Sequence, residues 1–194
     1  LSAVVADAAA VAESLLRRGW YRAPGVVNGD MRDALLAAPF PFRRSTPVIG
    51  PVRQDAMHLQ IALEAAPAAA RDLGSALEEV RREVARCDGA EFDMPFNEVV
   101  WQKYPAGSSG ISRHRDQDFY VGVIAIVTLT GSAAFALDDA QWETEPGDLV
   151  LLRGTGPAGA HTRCPRHSVG GPVGAERVSL TLRCNRNGFQ EWDD

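Results

Sequence analysis

The sequence predicts an α+β fold, a sandwich or jelly roll of short strands in the second half of the chain with helices from the first half packed on one sheet. From Phe96 onward, β-branched and aromatic runs are separated by glycine, proline and aspartate, with no helical spacing between them. Before Phe96, apolar residues recur at helical spacing, first in Val4, Ala8, Val11 and Leu15 and later in Leu73, Leu77, Val80 and Val84. The 194 residues, 45% of them hydrophobic, suffice for one sizeable core. We therefore expect a single domain over 1–194, with 1–95 a mainly helical cover and 96–186 the jelly-roll core.

In chain order, Gly19 after Arg17 and Arg18 reads as the stop of a first helix. Residues 20–27, broken by Pro24 and Gly25, read as a short strand, and Asn28 or Asp30 could cap a helix through Met31, Leu35 and Leu36. Pro39, Pro41, Pro47, Pro51 and Gly50 predict an irregular loop over 39–55, carrying Arg43, Arg44 and Arg53. Such a basic run is ordinarily solvated, although it could meet an acidic substrate or form a lid. His58 reads as a packing or surface residue of a helical segment. The helix through Leu73 and Val84 has the clearest stripe, with Glu78 and Arg82 as a favourable pair four apart. Strands are expected at 98–104, 111–116, 120–129, 133–137, 141–144, 149–153 and 177–184, with a short one near His167.

Composition narrows the function. A net charge of -5 disfavours nucleic acid as a partner unless a local basic patch exists. No apolar run approaches the roughly 20 residues of a membrane span. The opening segment carries Asp7 and Glu13, unlike a basic leader. Cys87, Cys164 and Cys184 are an odd count at unrelated spacings, which fits reduced thiols in a soluble, cytoplasmic protein.

Side chains alternate across a strand, so His114 and Asp116 in Ser112-Arg113-His114-Arg115-Asp116 point to one face and Arg113 and Arg115 to the other. An imidazole and a carboxylate joined by a distant histidine make a facial set that leaves positions open on Fe(II). The triplet alone is common by chance. More informative is Arg177-Val178-Ser179-Leu180-Thr181-Leu182-Arg183, which alternates polar and apolar without a slip. On an edge strand that polar face would simply meet water. Facing a barrel interior, its two guanidiniums would require anionic partners, which a dicarboxylate supplies in forked geometry.

Taken together, Gln102-x-Tyr104, His114-Arg115-Asp116-Gln117-Asp118, Gly147-Asp148, His167-Ser168 and the 177–183 strand resemble the ordered landmarks of AlkB-like 2-oxoglutarate/Fe(II) dioxygenases over residues 97–186. The chain departs from that pattern at Ser179 and Gln102, where the family carries asparagine, and both replacements keep hydrogen-bonding capacity. The resemblance implies a double-stranded β-helix (jelly roll, cupin-like) and the cofactors Fe(II) and 2-oxoglutarate. It implies that His114, Asp116 and a third ligand hold iron. It also implies that Arg177, helped by Tyr104, pairs with the distal carboxylate of 2-oxoglutarate, and that Arg183 lies near the chelating carboxylate. Ser179 and Gln102 would be secondary contacts, and Asp118 would touch substrate unless it merely caps a turn.

Two histidines compete for the third position, His161 and His167, six residues apart. His167-Ser168-Val169 matches the family landmark, which favours His167. His161, Cys164 and His167 could alternatively form a zinc cluster, but no paired second half follows. The resemblance implies an oxygenase that consumes O2 through a ferryl intermediate, and the acidic charge with the shortage of base-stacking hairpins before residue 97 favours hydroxylation of a small molecule or amino-acid side chain. Its rival is demethylation of alkylated nucleic acid, and a third reading is a non-catalytic cupin-like binding protein.

Overall fold

The computed structural model describes residues 1–37, 41–45, 47–157 and 165–189. Among the described residues of the first half five α-helices form: α1 (Ser2–Ala6), α2 (Ala8–Arg18), α3 (Gly29–Leu36), α4 (Ala68–Ala76) and α5 (Glu78–Asp88). Gly19 ends α2 in the left-handed region at φ 85°. Asn28 caps α3, its side chain accepting from the Met31 N–H at 3.0 Å, so the cap is Asn28 and not Asp30. The single helix expected through Leu73 and Val84 is divided at Leu77, whose ψ of 0° interrupts the spiral between α4 and α5. Glu78 pairs with Arg82 at 3.0 Å, as the four-residue spacing predicts, but it also receives the buried Arg81 at 2.8 Å.

Strands lie within the first half as well, namely β1 (Trp20–Ala23), β2 (Arg43–Arg44), β3 (Val48–Ile49), β4 (Val52–Asp55) and β5 (Met57–Ala62). Within the span expected to be an irregular loop, the described residues thus include a β3–β4 hairpin and a short edge strand. His58 lies on β5 and not on a helix, because 57–62 alternates half-buried and buried positions at the strand period. The remaining strands are β6 (Glu98–Tyr104), β7 (Gly110–His114), β8 (Tyr120–Thr130), β9 (Ala133–Ala136), β10 (Gln141–Thr144), β11 (Leu149–Arg153), β12 (His167–Val169) and β13 (Arg177–Asn185).

Two antiparallel sheets result, ordered β1-β11-β8-β13-β6-β5-β2 and β10-β9-β12-β7-β4-β3. This is the jelly roll expected from the sequence, with the first half contributing strands to both sheets in addition to helices. One core lies between the helices and the outer face of the seven-stranded sheet, where Leu15, Leu73 and Val84 meet Val99, Leu180 and Leu182. Trp101 on that face donates its indole N–H to the Leu35 carbonyl at 3.0 Å, tying α3 to the sheet. A second core, including Ile124, Ile126, Phe135, Leu152 and Val169, lies between the two sheets. Among the described residues no helix is long and apolar enough to cross a membrane.

Candidate metal centre and cosubstrate cavity

The fold brings His114 and His167 together by register. They are direct partners across β7 and β12, with ring centroids 4.3 Å apart. Close approach of these strands depends on Gly110, at φ 79°, because a Cβ there would collide with the Val169 carbonyl. β7 ends at His114, so Asp116 stands on the connection to β8 and not on the strand as expected. One donor atom from each of His114, Asp116 and His167 nevertheless falls within 4.8 Å of the others. His167 Nε2 is 3.6 Å from Asp116 Oδ2.

The partners of these groups suit a metal. His114 Nδ1 lies 2.9 Å from the Ser112 carbonyl, which places the ring proton there and leaves Nε2 as the lone-pair donor. Phe135 stacks on the His167 ring at 5.7 Å and 8°. Burial pushes His167 down to about 4, the Asp116 carboxylate opposing and His114 reinforcing the shift, so the ring is neutral at physiological pH. For Asp116, burial raises the carboxyl, but Arg183, His167 and His114 together outweigh it and hold the group below the usual carboxylate range. A neutral His167 ring, the Nε2 lone pair of His114 and an ionised Asp116 carboxylate make a donor set that suits a divalent ion.

These residues open onto a cavity of about 120 Å³ whose walls also include Gln102, Tyr104, Arg177, Ser179 and Arg183. The polar face of β13 therefore points between the sheets and not to solvent. Arg177 is 1% exposed and donates to Thr128 Oγ1 at 3.0 Å and Ser179 Oγ at 3.2 Å. Among the described residues no carboxylate lies within ion-pair distance of it, its Nε has no partner, and burial lowers its pKa. Tyr104 presents its ring to the guanidinium at 5.6 Å, and burial raises the phenol's pKa. A buried cation whose hydrogen-bond partners among the described residues are all neutral, set in the wall of a cavity, fits a carboxylate ligand.

Arg183, which the resemblance puts near the chelating carboxylate, lines the cavity beside Asp116. Its guanidinium bridges Asp116 Oδ1 at 3.2 Å and Glu98 Oε1 at 3.3 Å, inside the protein. Asp118 is exposed on the turn before β8 and is not part of the cavity wall. His58 is buried and hydrogen-bonded through Nδ1 to Ser45 Oγ at 2.9 Å, beside the cavity wall at Gln102 but not in it. His161 and Cys164 lie outside the described residues. Sequence reasoning missed Glu98 and Tyr120, and it missed the hairpin residues Ile49, Val52 and Gln54 that close one side of the cavity. A carboxylate opening the apolar run Glu98-Val99-Val100-Trp101 was the available signal for Glu98, since a wholly buried strand seldom keeps one unpaired.

No protein-family model matches the sequence, and no curated protein matches it. Solved structures do share the fold. A prolyl-4-hydroxylase from Pseudomonas putida superposes with a TM-score of 0.66 at 23% identity, over 92% of this chain and 98% of the other. A Trichoplax adhaerens prolyl hydroxylase, solved with a hypoxia-inducible-factor peptide, gives 0.64 at 15% identity over 96% and 92%. A Burkholderia pseudomallei oxidoreductase of the 2OG-Fe(II) oxygenase family gives 0.61 at 18% over 95% and 92%. The chain has the double-stranded β-helix fold of these oxygenases.

Proposed function

We propose that this protein is a 2-oxoglutarate- and Fe(II)-dependent oxygenase that hydroxylates an amino-acid side chain or a small molecule. The observation that carries the reading is the meeting, in one cavity, of a two-histidine, one-carboxylate cluster and a buried arginine with no carboxylate partner among the described residues. His114, Asp116 and His167 would hold the metal. Arg177 would take the distal carboxylate of 2-oxoglutarate in its fork, with Thr128 and Ser179 fixing the fork's plane and Tyr104 and Gln102 beside it. Fe(II) and 2-oxoglutarate, once bound, supply the chemistry: O2 is consumed, 2-oxoglutarate is decarboxylated to succinate and CO2, and one oxygen atom goes to the substrate.

The chain's own contribution is positioning and exclusion of water. Ile111, Ile126 and Val169 form an apolar wall around the polar groups. Rotation of the metal ligands is resisted by the Ser112 carbonyl on His114, Phe135 against His167 and Arg183 on Asp116. The substrate side is bounded by Ile49, Val52, Gln54, Arg115 and Gln117, a surface of apolar groups and amides with one guanidinium. That lining, the net charge of -5 and the prolyl hydroxylases among the structural neighbours support a side chain or small molecule over alkylated nucleic acid. A reducing, cytoplasmic setting accompanies this reading, Cys87 and Cys184 being free thiols among the described residues.

Anaerobic addition of Fe(II) and then 2-oxoglutarate to the apo-protein tests the proposal. A weak visible charge-transfer band is expected in wild type and absent in His167→Ala. A band that survives in His167→Ala and fails in His161→Ala would keep the oxygenase and move the third ligand. No band in folded wild type would refute the reading.

A further inference from the structure

Glu98 is 0% exposed, opens β6, and does not line the cavity. It is nevertheless the hub of the polar groups behind the metal ligands. Its Oε1 accepts from Tyr120 Oη at 2.8 Å and from Arg183 at 3.3 Å, and its Oε2 accepts from Asn185 Nδ2 at 3.1 Å. Arg183 also reaches the Tyr120 oxygen at 3.3 Å and, through its other terminal nitrogen, Asp116 Oδ1 at 3.2 Å. The guanidinium lies over the Tyr120 ring at 4.5 Å. β6, β8 and β13 supply this cluster by register, since Arg183 faces Glu98 and Asn185 faces Tyr120.

Stability alone does not account for three buried charges in a row. An apolar set of similar volume is commonly as stable or more so, because each ion must be stripped of water. Charge balance at the metal does account for them. Asp116 and Glu98 carry two negative charges, Arg183 and Arg177 two positive ones, so this inner group is neutral before ligands arrive. A divalent metal with a dicarboxylate keeps it neutral. Without Glu98, Arg183 would turn more of its charge to Asp116 and compete with the metal for its oxygens, and this inner group would carry one excess positive charge.

We propose that Glu98 is a positioning residue for the metal: through Arg183 and Tyr120 it restrains the Asp116 carboxylate and divides the Arg183 charge so that Asp116 remains a metal ligand. Arg183 then serves the metal ligand rather than the cosubstrate. The inference rests on the oxygenase reading of the same site.

The test is anaerobic Co(II) binding in the presence of 2-oxoglutarate, followed by absorbance, on folded protein whose Tm is measured in parallel. Glu98→Gln keeps the shape and removes the charge. It is expected to weaken Co(II) binding by about 10–100-fold, the usual effect of losing a partner behind a metal ligand. In an Arg183→Gln background the same change should alter affinity by no more than about twofold, because the intermediary is gone. Arg81→Met removes a buried arginine of α5 that is paired with Glu78 and with Asp93 beyond the helix, and should lower Tm while leaving Co(II) affinity unchanged. Tyr120→Phe, which removes only the bridging hydroxyl, covers the case in which Glu98→Gln does not fold and should weaken Co(II) binding several-fold. Co(II) affinity equal to wild type in Glu98→Gln, or in Tyr120→Phe if that is the variant that folds, overturns the proposal. So does an undiminished Glu98 effect in the Arg183→Gln background. If wild type binds no Co(II), the oxygenase reading falls and this inference with it, whereas wild-type binding with an inert Glu98 overturns this inference alone.

Discussion

Replacing Arg177 with methionine should move two quantities in opposite senses. The guanidinium is 1% exposed, and its hydrogen-bond partners among the described residues are neutral hydroxyls, Thr128 Oγ1 at 3.0 Å and Ser179 Oγ at 3.2 Å. Losing two hydrogen bonds to a charged group costs roughly 1.5–3 kcal/mol each. Removing a buried ion that lacks an anionic partner recovers a desolvation penalty of several kcal/mol. Methionine fills similar volume without polar atoms, so the apo-protein should be at least as stable as wild type. A chain of this size gains about 2–4 °C in Tm per kcal/mol. Affinity for 2-oxoglutarate should fall, because truncating one side of a buried charged pair costs about 2–5 kcal/mol. At 1.4 kcal/mol per decade that is roughly 30-fold to several thousand-fold in Kd. Calorimetry of 2-oxoglutarate into the anaerobic Co(II) protein, with scanning calorimetry of both apo forms, measures the two effects. A Kd within about threefold of wild type would show that Arg177 is not the cosubstrate anchor. A large drop in apo stability would show that its role is structural.

Three further outcomes follow from the geometry. Asp116→Ala removes one of the three proposed ligands while the fold's cores are untouched, so turnover of 2-oxoglutarate should vanish with near-native circular dichroism; succinate production at more than a few per cent of wild type, roughly, would contradict the ligand set. Gly110→Ala places a Cβ against the Val169 carbonyl at positive φ, and should both destabilise the protein and weaken metal binding by displacing β7 from β12; unaltered Co(II) affinity would mean that the register of these strands does not set the His114–His167 distance. For pH dependence, His167 is held at about 4 in the folded protein against an ordinary value of about 6.5, so the unfolded chain binds the extra proton first. Its contribution is therefore complete above about 6.5 and lost as pH falls toward 4, and the apo-protein's Tm should decline over that window more steeply in wild type than in His167→Gln. Superimposable profiles would remove the buried neutral imidazole from the account.

The sequence by itself determined the jelly roll, because glycine- and proline-bounded β-branched runs can bury themselves only as packed sheets, and it singled out Arg177–Arg183 through unbroken alternation. It also picked out His114, Asp116 and His167 as a group, since their order resembles a known set of landmarks. Local pattern could not say which way the polar face of β13 points, as alternation is the same whether that face meets water or a cavity; the second sheet covering it decides. Nor could it divide the helix at Leu77 or put His58 on a strand, where packing overrides spacing. The placement of Arg183 was likewise beyond it: which carboxylates a buried guanidinium finds depends on strands 85 residues apart in the chain, and only the register of β6 against β13 brings Glu98 to it.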